Sequence, residues 1–263
     1  MKVLVTVSEV ADVDDEFEID GLEIESRYLT YDLNEWDNYA VEEAVQLAED
    51  HDDVEVVTAT IGPERTEETI RQALAKGADR AIRIWDDALA DASVLDPITK
   101  AKVLAAVVED EEPDLVLTGV QTDDDAFGAT GVALASMVDY AWGAVVNQLD
   151  YTPGDETANV HRELEGGIEE LGAVDIPAVL TIQTGINEPR YASLRGIRQA
   201  QSKPLDAHTL DEIGVDAADL PFSLTLTDLE EPEVESDVEI FEGSADETAG
   251  QLAELLRDRG VGA

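Results

Sequence analysis

Apolar positions in the first half of the chain follow two alternating rhythms. Continuous apolar runs at Lys2–Val7, Glu55–Thr60, Arg80–Ile84 and Asp114–Thr118 predict strands buried on both faces. Between the first two, Ala40, Val41, Ala44, Val45, Leu47 and Ala48 recur at helical spacing. Ile70, Ala73 and Leu74 form the next stripe, and Gly77 is placed to end that helix. Asp96-Pro97 predicts a third helix, with Asp as N-cap and Pro at the first helical position. Its expected buried face is Ile98, Ala101, Leu104, Ala105 and Val108, closed by Pro113. Such βαβα alternation implies an α/β fold of three layers, helices on both faces of a mostly parallel, doubly wound sheet.

From Ala144 the rhythm shortens. Ala144–Leu149, Asn159–Leu164, Ile168–Leu171 and Ala178–Gln183 predict extra, antiparallel strands, and Gly166-Gly167 supplies a hairpin turn. Beyond Leu205 the chain becomes more acidic and less regular. Glu230-Glu231-Pro232-Glu233 reads as extended chain, and Asp246–Arg257 regains a helical stripe through Ala249, Leu252, Leu255 and Leu256. The expected organisation is a core over residues 1–215 and a C-terminal arm over 216–263.

Composition changes this picture in one respect. Acidic residues number 62 and basic ones 16, a net charge of −46 spread along the whole sequence. Disorder is the usual meaning of such charge, but 44% hydrophobic content at regular periods opposes it. A folded protein of a high-salt cytoplasm is expected: self-repulsion destabilises the compact state, and at molar salt the Debye length falls to about 3 Å. Nucleic acid and anionic membranes are poor partners for this charge. The chain has no cysteine, which excludes disulfides, thiolate nucleophiles and cysteine-ligated clusters. Met1 leads directly into an apolar run without a signal-peptide pattern, and no apolar stretch is long enough for a membrane span. A cytoplasmic protein without membrane insertion is expected.

In a doubly wound sheet, ligands sit beyond the carboxyl ends of strands where the winding reverses. Two loops qualify: Thr6-Val7-Ser8, and Gly119-Val120-Gln121-Thr122-Asp123-Asp124-Asp125, the latter expected to open a helix through Ala126–Met137. A helix N-terminus suits a phosphate. Adjacent aspartates oppose that, unless backbone N–H groups and the Thr130 hydroxyl hold the phosphate and the carboxylates take ribose hydroxyls. The alternative is an acidic helix start with Asp as cap. Before the first helix, Asn34 reads as a contact to an adenine edge, Asp37 as a helix cap, and Trp36 as a purine stack or a core residue. Enzyme patterns are missing. His51, His161 and His208 lack metal-ligand spacing, and neither a P-loop lysine motif nor a G-x-S-x-G elbow occurs. Glu163 and Glu169 are strand-surface acids on this composition. No catalytic residue and no metal ligand is expected.

The run Val160–Pro204, VHRELEGGIEELGAVDIPAVLTIQTGINEPRYASLRGIRQAQSKP, closely resembles the beta-subunit motif of electron transfer flavoproteins: paired glycines, a proline-led strand, Asn-x-Pro-Arg-Tyr-x-x-Leu and a Lys-Pro. KVLVTVSEV, LNEWDNYAVEEAVQL, the strand ending Thr60-Ile61-Gly62-Pro63, LAKGADRAIRI and DLVLTGVQTDDDAFGATG extend the likeness over nearly the whole chain. The resemblance implies an adenine nucleotide alpha hydrolase-like fold and an AMP held in a buried structural role. It carries nucleotide contacts onto Thr6, Asn34, Glu35, Trp36, Asp37, Ile61, Gly119, Gln121, Thr122, Asp124, Asp125 and Thr130. It also implies a heterodimer in which a larger alpha subunit, met by the C-terminal arm, carries the FAD. Leu194 falls where the family anchors acyl-CoA and other flavin dehydrogenases, in a loop spanning about 185–203 that includes Arg190 and Tyr191. Glu163 lies where an acid faces the mobile flavin domain. Electrons would pass to an electron transfer flavoprotein–quinone oxidoreductase, as in fatty acid beta-oxidation.

The departures are Ser8-Glu9 in place of basic residues, Glu35 in place of proline, Ala126 in place of the third acid, and Gln199 and Ser202 in place of lysines. A bifurcating subset of the family holds a second FAD in the AMP site and oxidises NADH. Its Asp-Gly-Asp matches this chain's Asp124-Asp125-Ala126 only at the first position. A stand-alone adenine-nucleotide sensor of the universal-stress type is the alternative of another class, and its glycine-rich ATP loop fits 119–131 poorly.

Overall fold

Lys2–Thr6 (β1) sends Val3 and Val5 to one face and Leu4 to the other, all fully buried, as a central parallel strand requires. The computed structural model describes residues 1–231 and 238–260. After β1 come Glu9–Val13 (β2), Ile19–Asp20 (β3), Glu23–Ile24 (β4), Leu29–Leu33 (β5), Glu35–Asp50 (α1), Glu55–Ile61 (β6), Glu67–Lys76 (α2), Arg80–Ile84 (β7), Asp87–Ala90 (α3), Pro97–Glu111 (α4) and Leu115–Gly119 (β8). Thr130–Val138 (α5), Ala141–Asp150 (β9), Thr157–Leu164 (β10), Ile168–Asp175 (β11), Ala178–Ile182 (β12), Leu194–Ala200 (α6), Leu205–His208 (β13) and Ala245–Asp258 (α7) follow.

One nine-stranded sheet runs in the order β11-β10-β9-β12-β8-β1-β6-β7-β13. From β9 to β13 all neighbours are parallel, while β10 and β11 form the antiparallel hairpin expected at Gly166-Gly167. The fold is therefore α/β, with a mostly parallel sheet and added antiparallel strands. Helices α1, α2 and α6 cover one face and α4 and α5 the other. Each fully buried large side chain, such as Leu4, Ile70 or Leu117, contributes roughly 1.5–3 kcal/mol. Because β6 lies on one side of β1 and β8 on the other, the winding reverses there. The crevice faces the carboxyl ends of those strands, at Thr6 and Gly119. A Cβ on Gly131 would lie 2.5 Å from Thr118 Oγ1 and 2.7 Å from Thr181 Cγ2, so glycine there lets α5 lie close over β8 and β12.

Several elements differ from expectation. Asp96-Pro97 opens α4 as read, Asp96 accepting from Ile98 N at 3.0 Å and Thr99 N at 3.1 Å. Ala101, Leu104, Ala105 and Val108 are buried as expected, but Ile98 is 45% exposed, and Thr99, Val103 and Val107 complete the buried arc of α4. The helix expected from Ala126 begins at Thr130. Residues 9–33 hold a β2–β5 antiparallel pair and a small β3–β4 pair, and β13 extends the sheet beside β7. None of these strands was expected.

The first compact unit runs Met1–Leu229. Its last segment straps the start of α4: Phe222 N donates to Thr99 Oγ1 (3.2 Å), Ser223 N to Asp96 Oδ2 (2.8 Å) and Leu226 N to Ser93 Oγ (3.1 Å). The second unit, Glu230–Ala263, contains α7, opened by a reciprocal capping box between Ser244 and Glu247. Of the acidic stretch read as extended, Pro232 and Glu233 lie outside the described residues. No described helix is long and apolar enough to cross a membrane.

Candidate functional site

At the reversal of the sheet one buried carboxylate joins three elements. Asp37, in the first turn of α1, accepts from Ser8 N at 2.7 Å, just past β1, and from Gly119 N at 2.9 Å, at the end of β8. The residue read as a helix cap is therefore a staple between strand ends, and Asn34 holds the N-cap position instead. The reason is geometric: one turn into α1, the side chain reaches past the helix to two strand-end N–H groups that lack a partner. Burial drives its pKa from 3.8 to about 6, against the lowering effect of these hydrogen bonds. A Cβ on Gly119 would lie 2.6 Å from Asp37 Oδ1 and 2.7 Å from Trp36 Cβ, so only glycine admits α1 this close.

Asn34 is fully buried. Its Nδ2 donates to Gln121 O (2.9 Å) and its Oδ1 accepts from Asp123 N (3.2 Å). The two separated turns read as one site are thus physically joined. Asn34 sits behind the wall of the cavity, however, and Glu35 and Trp36 do not line it. Trp36 is half-buried and its Nε1 donates to Gln183 Oε1 at 3.2 Å.

The cavity itself has a volume of about 430 Å³ and contains Thr6, Asp37, Ile61, Gly119, Gln121, Thr122, Asp124, Asp125 and Thr130 in its lining. The aspartates are not helix caps. Asp124 accepts from Ala11 N (2.9 Å), tying the β2–β5 pair to this loop. Asp125 accepts from Lys100 Nζ (2.5 Å) and Thr122 Oγ1 (2.9 Å). Burial raises the Asp124 carboxyl; it acts the same way on Asp125, where Lys100 reverses it. Helix α5 starts with Ala129 at its N-cap and no side-chain cap. This uncapped start lies where Gly128, Ala129 and Thr130 line the cavity.

Two cations in the lining were not foreseen. Lys100 pairs with Asp125, and Arg65 pairs with Glu9 while stacking 3.7 Å from the centre of the Tyr31 ring. The only signal in the sequence was their rarity, since basic residues are few on this chain. Ser93, Val94 and Leu95 also line the cavity, from a loop that carries no motif.

The arginine-bearing loop lies between α1 and α2. Asn187 Nδ2 donates to Tyr39 O (3.1 Å) and Glu43 Oε2 (2.9 Å). Arg190 donates from Nε and Nη2 to Glu42 (2.9 and 3.0 Å) and from Nη1 and Nη2 to Glu49 (2.6 and 2.8 Å). Immediately beyond this clamp, Tyr191 is 98% exposed and Leu194, the first residue of α6, 77% exposed. On the other side α6 presses on α2, where a Cβ on Gly196 would come 2.2 Å from Ala75 O. Glu163 is exposed on β10, directly opposite Glu169 on β11, beside a polar hollow with Asn147, His161 and Gln183.

A family model described as the electron transfer flavoprotein domain matches residues 22–213. The electron transfer flavoprotein subunit beta of Methylophilus methylotrophus is 43% identical over 98% of this chain and 98% of its own length. The bovine subunit beta is 39% identical over 77% of this chain and 76% of its own, and the human one 36% over 88% and 89%. The sheet, the joined turns and these matches together establish that the chain belongs to the electron transfer flavoprotein family, among its beta subunits.

Proposed function

We propose that this chain is the beta subunit of a heterodimeric electron transfer flavoprotein, holding AMP as a structural ligand while FAD resides on an alpha subunit. The observation carrying the nucleotide assignment is the cavity at the reversal of the sheet, with the uncapped start of α5 at one end. Donors of that kind suit a phosphate, and Thr130 Oγ1 adds another. Thr6, Ser8 and Ile61, also in the lining, would hold the adenosine of AMP. The carboxylates do not repel it at full strength: Lys100 and Arg65 neutralise two of them, and Asp37 commits its two oxygens to the N–H groups of Ser8 and Gly119. At about 430 Å³ the cavity lies at the small end of ligand sites. That favours AMP over a second FAD, which has more than twice its bulk.

The chain supplies no redox group of its own. FAD bound on the partner would supply the electron-carrying chemistry, while this chain's residues bind the nucleotide and present a docking loop. Leu194 and Tyr191, exposed beyond the Arg190 clamp, are the contacts for acyl-CoA or other flavin dehydrogenases. Electrons then leave toward a quinone oxidoreductase and the respiratory chain. The C-terminal arm, over residues 216–263, contacts the alpha subunit. The setting is a high-salt cytoplasm, on the support of the −46 charge. Co-purification with the alpha subunit and quantification of released nucleotides tests the assignment. FAD and AMP in equal amounts are expected. Two flavins without AMP would establish the bifurcating kind instead, and no flavin-containing complex would end both readings.

A further inference from the structure

The loop contains three arginines, and the structure gives them different surroundings. Arg190 is engaged by two carboxylates of α1, one of them, Glu42, only 4% exposed. Arg195 and Arg198 are exposed on α6, with no hydrogen bond or ion pair to any described residue. That is unusual on this molecule. The other basic side chains of the first unit are bonded within it. Lys2 and Arg80 hold Glu111, Arg83 holds Glu67, and Arg27 and Arg162 pair with nearby glutamates. Arg65 and Lys100 pair in the cavity, and Lys76 donates to Asn38 Oδ1. Arg71, Lys102 and Lys203 donate to backbone carbonyls. On a chain with 62 acids, the two cations of the first unit whose side chains have no hydrogen-bond or ion-pair partner among the described residues stand beside the exposed apolar pair Leu194 and Ile197.

We propose that Arg195 and Arg198 select the partner dehydrogenase by pairing with carboxylates that rim an apolar hollow on its surface, while Arg190 is a positioning residue that never touches the partner. This rests on the docking reading above and deepens it. The geometry supports the division. Leu194 and Ile197 are one helical turn apart, and Arg195 and Arg198 form the adjacent stripe. Gly196 and Ala200 hold the opposite side of α6 against α2. The outward face is thus an apolar ridge flanked by two free guanidinium groups, and its complement is an apolar hollow flanked by acids. Like-charge repulsion from the rest of this acidic surface disfavours an acidic partner everywhere else, so the two arginines fix where it lands. The Arg190 fork onto Glu42 and Glu49, with Asn187 on α1, holds the loop in place before contact and lowers the ordering cost of docking.

The test uses the complete FAD-containing heterodimer with a substrate-reduced acyl-CoA dehydrogenase as donor, followed as KM for the flavoprotein at several salt concentrations. The double variant Arg195→Gln, Arg198→Gln is expected to raise KM about tenfold at the lowest salt that preserves the fold and to flatten its salt dependence, with kcat unchanged. Arg190→Lys keeps the charge but cannot fork two carboxylates. It is expected to raise KM and to speed amide exchange across residues 191–199 without partner, while keeping the wild-type salt slope. A salt slope unchanged by the double variant overturns the pairing. A slope flattened by Arg190→Lys, with exchange unchanged, overturns the division of roles. Leu194→Ala separates these failures from failure of docking itself: only if it too leaves KM unchanged is the loop not the contact surface.

Discussion

Replacing Asp37 by Asn tests whether a buried carboxylate staples the two strand ends beneath the cavity. In the folded chain its pKa is raised from 3.8 to about 6, principally by burial. At about 1.4 kcal/mol for each pH unit, the ionised form is disfavoured by about 3 kcal/mol relative to an unfolded chain. The sign follows from linkage. A carboxyl with a raised folded pKa binds its proton more tightly when folded, so its stabilising contribution is complete below 3.8 and disappears as pH rises through about 6. Asn carries no such dependence, but it has a single acceptor for two N–H groups, those of Ser8 and Gly119. One buried donor is left unpaired, at roughly 1–3 kcal/mol. Near pH 7 these effects nearly cancel, and the two proteins should differ by no more than about 2 kcal/mol. Near pH 4 the variant should fall behind by a further ~2 kcal/mol, because only the parent gains from protonation. Denaturant unfolding of both proteins across this range at fixed high salt reads the difference, in which all other titrations cancel. A difference that stays flat from pH 4 to 7 would refute the buried-staple argument.

Three further outcomes follow from the same geometry. Gly119→Ala places a methyl 2.6 Å from Asp37 Oδ1 and 2.7 Å from Trp36 Cβ. It should cost about 1–3 kcal/mol in denaturant unfolding and weaken AMP retention. Ala126 sits at φ +50°, where an L side chain is strained, so Ala126→Gly should raise stability by about 0.5–1 kcal/mol; a lower melting temperature would contradict this. Leu194→Ala should slow transfer from the dehydrogenase with flavin content intact, and unchanged kinetics would remove Leu194 from docking.

The central strands were legible because burial on both faces forces unbroken apolar runs, as in Val3–Val5 and Leu115–Leu117. Asp96-Pro97 marked a helix start for an equally local reason. β13 was not legible: Leu205-Asp206-Ala207-His208 is an edge strand with only half-buried or exposed positions, so no period appears. β2 and β5 were hidden in acidic sequence, since their alternation is set by a partner strand about twenty residues away. The late start of α5 follows from loop bonds that residue type does not announce. Lys100 draws Asp125 away from the helix, and Ala11 N takes Asp124. Nine of the twelve residues carried over as nucleotide contacts line one cavity, and that grouping came from resemblance, not from periodicity.

What local reading could not supply was how far apart in the chain the joined groups lie. Asp37 reaches Gly119 across 82 positions and Asn34 reaches Gln121 across 87. Arg190 reaches Glu42 across 148. All three contacts use α1 or its N-cap. Its first turn fixes the strand ends that frame the cavity, and its later turns hold the loop that exposes Leu194. The helix therefore supports the frame of the cavity and the exposed loop from one element. A substitution in its buried face, at Val41 or Ala44 for instance, would disturb nucleotide retention and docking together, whereas changes at Asp37 or Glu42 separate them.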